Sequence, residues 1–74
     1  MVTVYTKPNC PQCVQTKRVL DRNQIAYNTV DLTEDPASMK MVQDLGFASA
    51  PVVITADDKW AGFKLDKLNA LKAA

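Results

Sequence analysis

Both cysteines of this 74-residue chain lie in one short segment, KPNCPQCV, at positions 10 and 13. This C-x-x-C spacing suits three kinds of chemistry: thiol–disulfide exchange, metal binding and a structural disulfide. A zinc or iron–sulfur site uses about four ligands. Because the chain has two cysteines and no histidine, such a site would need a dimer or an external thiol. A disulfide across two residues closes a very short loop and constrains the unfolded chain little.

The position of the pair favours redox chemistry. Cys10 directly precedes a predicted helix, where unpaired N–H groups and the helix dipole stabilise a thiolate. Lys7 adds a positive charge nearby, unless it is simply solvated. Cys13 lies one turn inside the helix and is expected to be the more buried thiol. We therefore expect an exposed Cys10 to attack a partner disulfide and a sheltered Cys13 to resolve the mixed disulfide.

The elements that position the cysteines follow the order β-α-β-α-β-β-α. The sequence predicts strands at 2–6, 25–32, 51–55 and 59–63, and helices at 11–24, 36–45 and 65–73. Pro11 and Pro36 suit first helical positions, Asp35 is a cap and Gly46 a terminating residue. The predicted inner faces are Cys13, Val14, Lys17 and Leu20 in the first helix, Met39, Val42 and Leu45 in the second, and Leu65, Leu68 and Leu71 in the third.

Connection lengths predict how the strands pair. The first β-α-β unit requires a parallel strand pair, and the short last connection requires an antiparallel pair. This gives an α/β fold in which a four-stranded mixed sheet is flanked by three helices. Residues 1–74 are expected to form a single domain.

Composition limits the partners. Nine basic and eight acidic residues are scattered along the chain, and its formal net charge is +1. We therefore expect no nucleic-acid partner. No apolar run is long enough to cross a bilayer and no targeting segment is visible, so we expect no membrane partner and a cytoplasmic, thiol-reducing location. A monomer without a metal or cofactor is the simplest expectation.

Three segments carry a resemblance that covers nearly the whole chain: VYTKPNCPQC, SAPVV and KWAGFKLDKL. Together they resemble the NrdH-type redoxins, glutaredoxin-like members of the thioredoxin superfamily. The resemblance implies a thioredoxin/glutaredoxin-like fold and a small dithiol–disulfide oxidoreductase that carries electrons to protein disulfides. It also implies thioredoxin reductase as the reductant and class Ib ribonucleotide reductase as the client.

The resemblance also implies roles for individual residues. Cys10 and Cys13 match the redox pair, and Pro51 matches a cis-proline that faces it. Ala50 would offer its backbone to an incoming extended segment. The predicted substrate- or partner-binding residues are Lys7, Pro11, Gln12, Ala50, Pro51, Trp60, Gly62 and Phe63. From the sequence, Pro51 is also consistent with an ordinary proline at a strand start, and Trp60 with a core aromatic.

Several positions depart from the family pattern. Pro11 is typical of glutaredoxins, and Ser49, Ala61 and Leu65 replace the glutamine, serine and proline that the redoxins usually have. A glutathione-dependent glutaredoxin is therefore the main alternative, although DDKWAGF lacks the paired glycines of the usual glutathione-binding segment. A dimer that binds an iron–sulfur cluster or zinc is the third possibility.

Overall fold

The computed structural model describes residues 1–71, and its elements follow the predicted order. The elements are β1 (Val2–Thr6), α1 (Pro11–Arg22), β2 (Tyr27–Asp31), α2 (Pro36–Asp44), β3 (Val52–Ile54), β4 (Lys59–Ala61) and α3 (Leu65–Ala70). The strands form one sheet in the order β2-β1-β3-β4. β1 is parallel to β2, and β3 is antiparallel to both β1 and β4. The predicted mixed sheet and fold class are therefore confirmed.

The central strand β1 buries side chains on both of its faces because side chains alternate along a strand. Val4 is fully buried, and it pairs with Thr29 of β2 and Val53 of β3. The larger core cluster lies on this face and comprises Val2, Val4, Val19, Leu20, Ile25, Val53, Trp60 and Leu68. On the other face Tyr5 packs against a smaller cluster of Leu32, Val42 and Val52. The helices thus cover both faces of the sheet.

The buried face of α1 differs from the predicted one. Its buried residues are Cys13, Thr16, Val19 and Leu20, whereas Val14 is 48% exposed and Lys17 is half-buried. Cys13, Thr16 and Leu20 follow the three- and four-residue spacing of one helix face. The hydrophobicity of Val14 misled the prediction, because the helix buries Thr16 and leaves Val14 exposed.

The C-terminal ends of α1 and α2 have the same geometry, although the sequence predicted only that of α2. In α2, Asp35 accepts hydrogen bonds from Ser38 at the start of the helix, and Gly46, which follows the C-cap Leu45, has φ +91°. In α1, Gln24 adopts φ +60° in the equivalent position. There the Ile25 N–H donates to the Leu20 carbonyl at 2.9 Å, as in a Schellman motif. Because no glycine marks this end, the sequence predicted a helix two residues too long.

Replacing Gln24 with glycine is expected to stabilise the protein. A residue with a Cβ is strained in the left-handed conformation that glycine adopts freely. Removing the Cβ should therefore raise the free energy of unfolding by roughly 0.5–1 kcal/mol. Gln24 is exposed, so little packing is lost. Chemical denaturation of Gln24→Gly and Gln24→Ala would test this, since alanine removes the same side chain without relieving the backbone. Equal stabilities for the two variants would refute the explanation.

The C-terminal helix is shorter than predicted. α3 ends at Ala70, and Leu71 is extended, packing against the larger core cluster. Leu68 is fully buried as predicted, but Leu65 is 43% exposed, so its assignment to the inner face was wrong. The last predicted helical positions, 72 and 73, lie outside the described residues. β2, β3 and β4 are also shorter than predicted, and β4 ends where Gly62 turns away with φ +86°.

Candidate active site

The two cysteines lie where β1 passes through a short loop into α1. Cys10 is the N-cap of α1 and Pro11 its first residue. Asn9 turns the loop in the left-handed conformation, with φ +57°, which asparagine tolerates better than most residues. Cys10 and Cys13 are joined by a disulfide, and their Cα atoms are 5.2 Å apart. The predicted pair is thus close enough for intramolecular exchange.

The two thiols differ in burial less than the sequence predicted. Cys13 is 2% exposed and Cys10 is 8% exposed. The predicted order is confirmed, but the predicted exposed Cys10 was wrong for this disulfide form, in which both cysteines are buried. The Cys13 N–H donates to the Cys10 Sγ at 3.1 Å. In the reduced protein, a donor in this position at a helix N-terminus favours the thiolate of Cys10.

Four of the predicted site residues are connected by backbone and side-chain hydrogen bonds. The Ala50–Pro51 peptide bond is cis, as the resemblance implies, and Pro51 is buried. The Gly62 N–H donates to the Pro51 carbonyl at 2.7 Å. The Phe63 N–H donates to Oε1 of Gln12 at 3.1 Å. The start of β3 and the loop after β4 are therefore both tied to the helix that carries the cysteines.

Substituting Gly62 is expected to impair activity as well as stability. An added Cβ would lie 3.5 Å from the Gln12 Oε1, and the residue has φ +86°. In Gly62→Ala we expect a loss of roughly 1–2 kcal/mol in unfolding free energy. Backbone movement there would shift Gln12 between the cysteines and lower turnover roughly three- to tenfold.

Gly46→Ala is the matched control. Gly46 has φ +91°, and nothing lies within 4 Å of the Cβ position. It should lose similar stability while retaining turnover, as measured by denaturation and disulfide reduction. Equal turnover in both alanine variants would contradict a positioning role for the Gly62 loop.

An open cleft of about 650 Å³ exposes the edge of the disulfide. It is lined by Lys7, Asn9, Cys10, Pro11, Cys13, Val14 and Lys17. Lys7 also lines a smaller neighbouring groove of about 150 Å³ that reaches Ala50. The structure thus brings the predicted residues Lys7 and Pro11 to the cysteines, and Lys7 is shared with the groove that contains Ala50.

Val14 and Lys17 belong to the cleft although the sequence placed them on the buried helix face. The cleft extends along α1 because Lys17 lies four residues, about one turn, after Cys13. A residue one turn after a redox cysteine lies next to it on the helix surface, and it lines the cleft when it is accessible. This spacing was visible in the sequence, but the orientation of the helix was not.

Trp60 is a core residue. Its side chain is 3% exposed and packs in the larger core cluster. The Lys67 Nζ lies 5.4 Å from the ring centroid and forms an ion pair with Asp58 at 2.7 Å. The indole Nε1 has no hydrogen-bond partner within residues 1–71, and the neighbouring Ala61 has no hydroxyl to offer. The structure therefore favours the core interpretation over the predicted place on a partner surface.

Across positions 1–71, no group of three or more histidine, cysteine, aspartate or glutamate side chains is arranged to hold a metal ion. Within the same range, no helix combines the length and apolar character that crossing a membrane requires.

Comparisons with known proteins agree with this geometry. The family model described as Glutaredoxin matches residues 2–60. The glutaredoxin-like protein NrdH of Lactococcus lactis subsp. cremoris is 39% identical over 71 residues, which cover 96% of this chain and 99% of that protein. NrdH of Escherichia coli strain K12 is 33% identical, with 99% and 90% coverage.

A solved structure provides the same match in three dimensions. NrdH-redoxin from Escherichia coli superimposes with a TM-score of 0.94 at 33% identity, covering 99% of this chain and 96% of that one. That protein is described as glutaredoxin-like with a thioredoxin-like activity profile. Sequence, fold and paired cysteines lead to one conclusion: the chain belongs to the glutaredoxin family as an NrdH-type redoxin, a thiol–disulfide oxidoreductase.

Proposed function

We propose that this redoxin is a dithiol electron carrier that reduces disulfides of partner proteins. We further propose that thioredoxin reductase recycles it and that class Ib ribonucleotide reductase is its main client. The observation that carries the proposal is the Cys10–Cys13 disulfide at the N-terminus of α1, open to a cleft on one side.

The exchange proceeds in two steps. The Cys10 thiolate attacks one sulfur of the partner disulfide, which forms a mixed disulfide and releases the other partner sulfur as a thiolate. The Cys13 thiolate then attacks the Cys10 sulfur, forming the internal disulfide and releasing the second partner thiolate. Two electrons pass to the partner, and its two sulfurs take up protons. The reductase returns two electrons from NADPH to the Cys10–Cys13 disulfide.

Residues around the pair would position the partner. Ala50 and the cis-proline Pro51 directly precede β3, and Ala50 lines a groove that shares Lys7 with the cysteine cleft. An extended partner segment would lie along the Ala50 backbone. Gln12 holds the Phe63 amide and thereby fixes the loop that follows β4. Pro11 begins the helix and lines the cleft. We propose that the redoxin acts in the cytoplasm as a monomer comprising a single domain.

The choice of reductase rests on similarity. The E. coli NrdH-redoxin has a thioredoxin-like activity profile, and the segment 57–63, DDKWAGF, has a tryptophan and no paired glycines where glutathione-dependent relatives carry them. Because Pro11 is typical of glutaredoxins, glutathione is the competing reductant. The two alternatives predict opposite results in one assay.

NADPH consumption tests the proposal. Disulfide reduction is followed with NADPH and thioredoxin reductase in one reaction, and with glutathione plus glutathione reductase in another. We expect turnover with thioredoxin reductase and at most about a tenth of that rate with glutathione, a difference of about 1.4 kcal/mol. Faster turnover with glutathione would replace the proposed reductant with glutathione.

The client is tested separately. Class Ib ribonucleotide reductase, supplied with this redoxin, thioredoxin reductase and NADPH, should form deoxyribonucleotides in many turnovers. If ribonucleotide reductase stops after a single turnover even with the redoxin present, it is not the client. The proposed thiol chemistry of the redoxin would still stand.

A further inference from the structure

The cleft beside the cysteines is lined by two lysines and by no acidic residue. Lys7 precedes Cys10 by three residues and Lys17 follows Cys13 by four, so the two lysines flank the pair in the sequence, and both line the cleft. The other lining residues, Asn9, Pro11 and Val14 among them, are uncharged. The formal net charge of the whole chain is only +1. The cleft lining therefore carries two positive charges and no negative charge, although the chain as a whole is nearly neutral.

Neither lysine is neutralised by a nearby acid. Among residues 1–71 the ion pairs within 4.0 Å are Lys40–Asp44 on α2 and Lys67–Asp58, which lies beside the Trp60 ring.

Asp31 is the acidic residue closest to Lys7 in the sheet register, and its carboxylate is hydrogen-bonded to another residue. Asp31 pairs with Thr6 at the ends of β2 and β1, one residue before Lys7. Its carboxylate accepts from the Thr33 N–H at 2.8 Å, and it does not line the cleft. Both lysines are thus available to a bound partner.

Resting on the proposed function, we propose that this cleft selects partner disulfides whose cysteine is flanked by acidic residues in an extended protein segment. A carboxylate on either side of the attacked cysteine would approach Lys7 or Lys17 as the segment crosses the cleft. Opposite charges steer association and raise its rate, more than they raise affinity. The expected signature is therefore a charge-dependent second-order rate constant that falls with ionic strength.

Matched peptides test this directly. Three short peptides carry one cysteine, activated as a pyridyl disulfide, and differ only in whether its flanking residues are glutamate, glutamine or lysine. Release of the uncharged pyridine thione reports the attack of Cys10 on each. At low salt we expect the acidic peptide to react about tenfold faster than the basic one, with the neutral peptide between them. Near about 1 M salt, where the screening length is about 3 Å, the ratio should fall to about two or less.

Variants assign the preference to the two lysines. Lys7→Gln and Lys17→Gln should each reduce the acidic-to-basic rate ratio, and the double variant should bring it close to one. Lys40→Gln removes an exposed lysine on α2 and should leave the ratio unchanged. Because each ratio compares two peptides on one variant, any change in the nucleophilicity of Cys10 cancels.

The outcomes separate this inference from the proposed function. If no peptide reacts, the proposed thiol chemistry fails. If all three react equally at low salt, or if the lysine variants retain the full ratio, the acidic-segment inference fails and the chemistry stands. Activated glutathione also carries carboxylates. If it reacts faster than the acidic peptide, the cleft is assigned to glutathione instead of a protein segment.

Discussion

Cys10→Ser is expected to lose at least about a thousandfold in disulfide-reduction turnover, because a serine hydroxyl cannot replace the attacking thiolate at neutral pH. In the structure, Cys10 is the sulfur that caps α1 and receives the Cys13 N–H at 3.1 Å. A serine oxygen can accept the same hydrogen bond, so folding should survive while chemistry stops. The NADPH-coupled assay measures the loss.

Gln15→Ser is the control for this substitution. Gln15 is exposed on the same helix and does not line the cysteine cleft, so the variant should retain full turnover. Circular dichroism establishes that both variants are folded. A Cys10→Ser protein that still turned over at the wild-type rate would show that Cys13 or another group makes the first attack.

Cys13→Ser is expected to trap the partner instead of preventing attack. Cys10 can still form the mixed disulfide, but no second thiol is present to resolve it. Catalytic turnover should therefore fall by about a hundredfold or more, while a covalent adduct accumulates in stoichiometric amount. Non-reducing electrophoresis and intact mass spectrometry detect that adduct, which an added thiol should release.

Because Cys13 is 2% exposed, its replacement has to be checked for folding. Cys13→Ala supplies a second variant without a buried hydroxyl, and it should trap the same adduct. If both variants fold but form no adduct, the assignment of Cys10 as the attacking residue and Cys13 as the resolving residue is wrong.

Strand pairing and the location of the redox pair could be predicted from the sequence because both depend on local patterns. The run of β-branched and aromatic residues at 2–6 and the proline at position 11 define β1 and the start of α1. Connection length then determined which strands are parallel. The end of α1 could not be predicted, since Gln24 adopts φ +60° without the glycine that usually marks this geometry.

Long-range contacts explain most of what the sequence missed. The bond from the Phe63 N–H to Gln12 joins residues 51 positions apart, and no local pattern predicts such a pairing. The orientation of α1 depends on long-range packing that buries Thr16 and Leu20, so Val14 and Lys17 were placed in the core when they line the cleft. The resemblance supplied Gln12, Pro51, Gly62 and Phe63 together, and the structure shows how they are connected.

The central claim is that Cys10 and Cys13 act as one two-electron pair. The most direct measurement counts thiols in the reduced wild-type protein after one turnover on a protein disulfide, by rapid alkylation followed by mass spectrometry. We predict that both thiols disappear together and that the protein is recovered unmodified with an internal Cys10–Cys13 disulfide. Recovery of a protein that still has a free Cys13 thiol and remains joined to its partner through Cys10 would contradict the account.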